Sequence, residues 1–159
     1  MNLEEKIVSE LQNRGYTITT AESCTGGLLA GRILNVSGAS AVYNEGHITY
    51  SNEAKERLLG VSHDTLEQYG AVSRQTAAEM ALGAARVANA NVGLSTTGIA
   101  GPGGGTPEKP VGLVYVGCCI HGDVTVKECR FTGNREENRN AAVEAALQLL
   151  WGKLNTVQP

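Results

Sequence analysis

Within a span of twenty residues the hydrophobic period of this chain switches from that of a strand to that of a helix. Tyr16, Ile18 and the threonines after them read as a strand over 16 to 21, while Leu28, Leu29, Ile33 and Leu34 recur at helical spacing over 26 to 36. Between the two runs lie Ser23, Cys24, Thr25, Gly26 and Gly27, in the stretch ITTAESCTGGLLAGRIL. A strand that turns directly into an amphipathic helix belongs to a sheet covered by helices.

The junction also has chemical consequences. The first N–H groups of a helix lack intrahelical partners and carry the positive end of its dipole, so a side chain there faces a site suited to an anion or a developing oxyanion. A nucleophile at that corner would have an oxyanion hole beside it. The plainer reading has Ser23 or Thr25 capping the helix while Gly26 and Gly27 let it approach the sheet.

The rest of the chain repeats the alternation. A first helix over 3 to 13 carries Leu3, Ile7, Val8 and Leu11 on one face and closes at Gly15. Residues 41 to 51 read as extended, and Ser51 or Asn52 then caps a helix bearing Lys55, Leu58 and Leu59. A short helix over 62 to 69 ends at Gly70, Ser73 caps an alanine-rich helix, and a strand follows over 92 to 96. Strands over 112 to 120 and 124 to 131 are joined through His121, Gly122 and Asp123, and a last helix runs from about 135 to 154. Strands separated by helices, with one hairpin, predict an α/β fold: a three-layer α/β/α arrangement with a mixed β-sheet, one domain over 1–159.

Bulk properties narrow the function. With 159 residues the chain is one domain in size, and its net charge of −3 with no basic run argues against nucleic acid as a partner. No apolar run approaches the length of a membrane span and the start is not a signal peptide, so a soluble, cytoplasmic protein is expected. The four cysteines, Cys24, Cys118, Cys119 and Cys129, form no CxxC pair, and the three histidines stand apart from one another. Neither a disulfide framework nor a metal site is expected, and no cofactor is called for.

Two further features carry chemistry. The stretch TGIAGPGGGTPEKP, 97 to 110, packs five glycines and three prolines just beyond a strand's C-terminal end, where open α/β sheets bind ligands. It matches neither a Walker A motif nor GxGxxG, although its amides could hold an anion. A serine nucleophile needs a base; the three histidines stand in no patterned relation to Ser23, and Lys55 is the other candidate. At its reference pKa, reaching the neutral form at pH 7 costs about 4.6 kcal/mol, which desolvation and the N-terminal end of its own helix would reduce. Spacing alone does not separate that role from a solvated surface lysine.

Taken together, AESCTGG (21 to 27), GHITYSNEAKERLLGV (46 to 61), GAVSRQTAAEMA (70 to 81), TGIAGPGGGTPEKPVGLVYV (97 to 116) and FTGNREENR (131 to 139) resemble the C-terminal domain of the CinA family, the nicotinamide-nucleotide amidohydrolases. The likeness covers nearly the whole chain, which looks like the stand-alone form without the additional N-terminal domain of longer members. The resemblance implies metal-free hydrolysis of the carboxamide of nicotinamide mononucleotide, a step of pyridine nucleotide salvage, by a dimeric enzyme. The family's nucleophile falls on Ser23, its base on Lys55 and its active-site tyrosine on Tyr50, which would relay or orient. Amides from Cys24 through Thr25, Gly26 and Gly27 would stabilise the oxyanion. Thr97 and Gly98 open the glycine loop against the substrate, and its phosphate would fall to Arg139, the preferred arginine of the last block, or to Arg135.

Two rival readings differ in kind. Cys24 could be the nucleophile, its thiol acidified by the helix N-terminus. Alternatively, the chain is a catalytically inactive nucleotide-binding or regulatory module of the same fold.

Overall fold

The computed structural model describes residues 1–156, so the last three positions of the expected domain span lie outside the described residues. Six α-helices form where the apolar stripes and local caps place them: α1 (Leu3–Arg14), α2 (Leu28–Leu34), α3 (Asn52–Leu59), α4 (His63–Tyr69), α5 (Arg74–Ala88) and α6 (Arg135–Leu154). Asn2 and Asn134 build capping boxes with Glu5 and Glu137, and Ser51 and Ser73 accept the N–H groups of Ala54 and Thr76. Gly15 and Gly60 close α1 and α3 in the left-handed conformation.

Five strands, β1 (Ile18–Glu22), β2 (His47–Ile48), β3 (Val92–Gly98), β4 (Leu113–Ile120) and β5 (Asp123–Arg130), form one sheet in the order β2-β1-β3-β4-β5. The first three are parallel and the last two antiparallel, so the sheet is mixed as the sequence predicts. Leu29 and Ile33 of α2 pack with α1 and α6 into one core, while Leu59, Leu66, Met80 and Ala84 of α3, α4 and α5 form another with Ala21. The helical layers therefore lie on opposite faces of the sheet.

The strand expected over 16 to 21 is observed at Ile18–Glu22 and the one expected over 92 to 96 runs on to Gly98, and three further boundaries differ for local reasons. The helix expected over 26 to 36 shortens because Gly26 and Gly27 take φ of 54° and 105°, outside the helical region. The extended segment expected over 41 to 51 pairs with β1 at His47–Ile48 and, ahead of it, through a single isolated bridge from Tyr43 to Ile18. Ahead of that bridge, residues Ala39–Ala41 form a 3-10 turn, and the Glu45 carbonyl is held by the side-chain hydroxyl of Thr19 on β1 at 2.8 Å rather than by a main-chain N–H of that strand. The β4–β5 hairpin turns on His121 and Gly122 alone, both at positive φ (50° and 83°), as a type I′ turn requires.

The sheet meets α5 at very short range. A Cβ on Gly93 would lie 2.3 Å from the Ala81 carbonyl oxygen, whereas one on Gly152, exposed on α6, would meet nothing within 4 Å. Gly93→Ala should therefore destabilise the fold by about 1–3 kcal/mol. Gly152→Ala should stabilise it by about 1 kcal/mol by removing backbone freedom from the unfolded chain. Urea denaturation of the two variants checks both signs, and the reverse order would contradict this packing.

Candidate active site

β1 lies between β2 and β3, and the chain leaves it through α2 on one face yet reaches β3 through α3, α4 and α5 on the other. The sheet order reverses at β1, which opens a crevice at the C-terminal ends of the parallel strands. Ser23 is the first residue beyond β1, and its N–H donates to the Thr96 carbonyl at 3.0 Å. The Thr49 N–H donates to the Glu22 carbonyl at 2.8 Å, so the segment carrying Thr49 and Tyr50 arrives at the same end.

Lys55 reaches that end from the first turn of α3. It is 1% exposed, and its Nζ lies 3.0 Å from Ser23 Oγ, 2.8 Å from the Thr49 carbonyl oxygen and 3.3 Å from that of Tyr50. No carboxylate forms an ion pair with it among the described residues, and burial pulls its pKa down from 10.5 to about 8. Reaching the neutral amine at pH 7 then costs about 1.4 kcal/mol. The partners suit that form, since two N–H bonds can go to the carbonyls while the lone pair accepts the Ser23 hydroxyl proton.

A cavity of ≈180 Å³ opens over this pair, lined by Ser23, Cys24, Tyr50, Lys55, Ala71, Val72, Thr97, Gly98, Ala100 and Arg135. Tyr50 stands 66% exposed at its mouth, where its hydroxyl meets Arg135 at 3.4 Å, and no hydrogen bond joins the phenol to Ser23 or Lys55. Its contact with Lys55 is through its main-chain carbonyl. Thr97 forms wall rather than donor, since its hydroxyl donates to the Ala71 carbonyl at 2.7 Å. Gly98 is needed for β4 to approach, because a Cβ there would lie 2.8 Å from the Leu113 carbonyl oxygen.

The turn after Ser23 departs from the capping reading. Neither Ser23 nor Thr25 caps α2; the cap position is Gly27, and the carboxylate of Glu22 accepts the N–H groups of Leu29 and Ala30 at 2.9 and 3.0 Å. The anion site expected at this helix end is thus already filled from within. The Thr25 hydroxyl is buried and donates to Glu22, while Gly27 lines a separate groove between α2 and α6. The amide of Gly26 donates to the Ser23 carbonyl, and those of Cys24, Thr25 and Gly27 donate to no other residue among the described residues. Burial pushes the Cys24 thiol up to about 11, which removes the acidification expected of it.

Comparison with known proteins bears on this arrangement. Residues 1–154 match the family model described as the CinA C-terminal domain. The chain belongs to the CinA family. Across 94% of its length it is 59% identical to a protein of Clostridium novyi named competence-damage inducible, and over a similar share 55% identical to a CinA-like protein of Kosmotoga olearia. It spans 36% of the length of each of these relatives. Among solved structures it superposes on the competence/damage inducible protein CihA of Agrobacterium tumefaciens with a TM-score of 0.93 at 47% identity, covering 96% of this chain and 93% of that one. A CinA superfamily protein of Klebsiella pneumoniae matches with a TM-score of 0.94 at 36% identity, covering 98% of this chain and 97% of that one.

In this CinA-family chain the two arginines of the last block separate by position. Arg135 lines the cavity and donates to the Gly101 carbonyl at 2.8 Å. Arg139, preferred from sequence as the phosphate contact, donates instead to the Cys24 and Thr25 carbonyls at 2.9 and 3.1 Å, clamping the turn that carries Ser23. Sequence reasoning missed Glu22, although a carboxylate in a strand of small, buried residues demands hydrogen-bond donors and could have been flagged on that ground. No helix among the described residues is long and apolar enough to cross a membrane.

The state of Lys55 is open to direct measurement. Titration of its side chain by NMR should give a midpoint near 8, and a value of 10 or above would contradict its burial. Between pH 8 and 10.5 the unfolded chain holds a proton that the folded chain has lost, so stability rises with pH across that window. Lys55→Met should remove this contribution to the slope.

Proposed function

We propose that this chain is an amidohydrolase that cleaves the carboxamide of nicotinamide mononucleotide to nicotinic acid mononucleotide and ammonia through an acyl-enzyme on Ser23. One observation carries the reading. The buried amine of Lys55 lies 3.0 Å from Ser23 Oγ with main-chain carbonyls as its other partners, at the end of the sheet where such folds bind ligands. A nucleotide-binding module has no use for a buried base held against a serine.

In the proposed reaction the Lys55 lone pair takes the Ser23 proton as Oγ bonds to the amide carbon, and the carbonyl π electrons move to oxygen. The amides of Cys24, Thr25 and Gly27, none of which donates to another residue among the described residues, are the donors nearest in sequence to that oxyanion, each aligned donor worth about 3–4 kcal/mol. Collapse breaks the C–N bond, with the Lys55 proton leaving on ammonia. Lys55 then takes a proton from water as the water oxygen bonds to the acyl carbon, and returns that proton to Ser23 Oγ as the ester bond breaks, releasing the acid product, which ionises to the carboxylate. A cavity of ≈180 Å³ is smaller than the sites of drug-sized ligands, so it takes the reacting ring and its amide. The ribose phosphate is left at the mouth beside Arg135.

Ammonia release from nicotinamide mononucleotide tests the reading. Ser23→Ala should abolish it, Cys24→Ala should keep most of it, and Lys55→Arg should lower turnover by orders of magnitude because a guanidinium stays protonated. A chelator should leave the rate unchanged. In the wild type kcat/KM should rise with pH to a plateau above about 8, as the neutral base accumulates. An active Ser23→Ala variant, or a rate that falls as pH rises through 8, would refute the mechanism, and a folded wild type that releases no ammonia would refute the activity.

The arginines should separate kinetically. Arg135→Ala should raise KM for the mononucleotide about tenfold to a hundredfold and change hydrolysis of the dephosphorylated riboside far less. Arg139→Ala should lower kcat on both substrates with little change in KM. Exchange of the two phenotypes would return the phosphate contact to Arg139.

A further inference from the structure

Glu22 is the one fully buried carboxylate among the described residues, and it forms no ion pair there. Its two oxygens are used separately. Oε1 accepts the N–H of Leu29 and the hydroxyl of Thr25, Oε2 accepts the N–H of Ala30, and Thr96 Oγ1 lies 2.8 Å behind the Thr25 hydroxyl. Four other helices are capped by a local Asn or Ser. Among the described residues only α2 is capped by a residue from the preceding strand, and the chain between the capping residue and the capped amides contains Ser23. The bonds from Glu22 therefore close a loop around the serine, while Arg139 holds the outward carbonyls of Cys24 and Thr25.

Resting on the hydrolysis proposed for Ser23, we infer that Glu22 is a positioning residue for this nucleophile: its carboxylate occupies the N-terminal end of α2 and braces the Ser23–Gly27 turn so that Ser23 Oγ stays against Lys55. A second consequence concerns specificity. Because the amide site of α2 is filled by an internal negative charge, the phosphate of a substrate is directed away from it, toward the Arg135 side of the cavity.

Glu22→Gln keeps the shape but has one acceptor oxygen for two amides, so one N–H of α2 is left facing an NH₂ group. The full-length variant should remain folded by circular dichroism. Its kcat on nicotinamide mononucleotide should fall about 100-fold, with KM within about threefold of wild type, as expected for a misplaced nucleophile. Sulfonylation of Ser23 by phenylmethylsulfonyl fluoride, followed by intact mass, should slow in parallel. A purely structural role would lower the melting temperature and leave both rates of the folded protein unchanged, which would overturn the inference.

If Glu22→Gln does not fold, Thr25→Val and Thr25→Ser decide the matter. The valine variant loses one bond to the carboxylate and should slow both reactions, while the serine variant keeps it and should restore them; equal rates in the two would overturn the inference. A wild type that is sulfonylated at Ser23 yet releases no ammonia would remove the amidase reading alone, with the labelling rates still deciding on Glu22. A wild-type Ser23 that reacts with neither reagent would overturn both.

Discussion

The contact on which the rest of the site depends is the one between Lys55 Nζ and Ser23 Oγ, made between two buried side chains. A lysine amine in water stays protonated at neutral pH and holds no lone pair for a neighbouring hydroxyl. Burial reverses that preference by penalising the charge, provided that no carboxylate lies close enough to restore it. Lys55 meets both conditions, because its remaining partners are the carbonyl oxygens of Thr49 and Tyr50, which can accept from an amine without fixing a full charge on it. The fold supplies these carbonyls by ending β2 at Ile48 and starting α3 at Asn52, so that Thr49 and Tyr50 fall in the short link between them. A lysine in the first turn of that helix is then turned back over the strand end.

The opposite problem is solved at Glu22. A negative charge is buried a single residue from Ser23, yet its oxygens are taken by two helix amides and a hydroxyl rather than by Lys55. Had the carboxylate paired with the lysine, the lysine would have been held as an ammonium and the serine would have lost its base. Separation of the two buried groups is thus as important as the burial of each. Arg139 serves the same end from α6 by engaging the two carbonyls of the turn, which leaves Arg135 as the arginine facing the cavity. The proposed chemistry therefore draws on a neutral amine, a held serine and the amides of the turn in one crevice, with Glu22 and Arg139 already hydrogen-bonded to the main chain.

Much of the architecture was legible in the residues. The change of hydrophobic period at 21 to 28, the glycine stops at Gly15 and Gly70, the serine caps at Ser51 and Ser73 and the hairpin at His121–Gly122 are local signals, set by backbone sterics and by side chains a few positions away. Such signals survive without knowledge of the fold, which is why a mixed sheet between helical layers could be read from them. The pairing of Ser23 with Lys55 was open at that level. Thirty-two positions separate them, and an apolar environment for Lys55 is created by elements remote in sequence.

What required the folded chain was every matter of direction. The pattern AESCTGG names a glutamate, a serine, a cysteine and a threonine, but only the docking of α2 against β1 turns Glu22 and Thr25 inward and leaves Ser23 and Cys24 on the cavity wall. The block NREENR offers two arginines one helical turn apart, and the packing of α6 beside the Ser23 turn places Arg139 on main-chain carbonyls and Arg135 at the cavity. Amino-acid order fixes which donors and acceptors exist and their local spacing. Which of them meet depends on long-range packing, because hydrogen bonds and desolvation act over a few ångströms in space and are blind to distance along the chain.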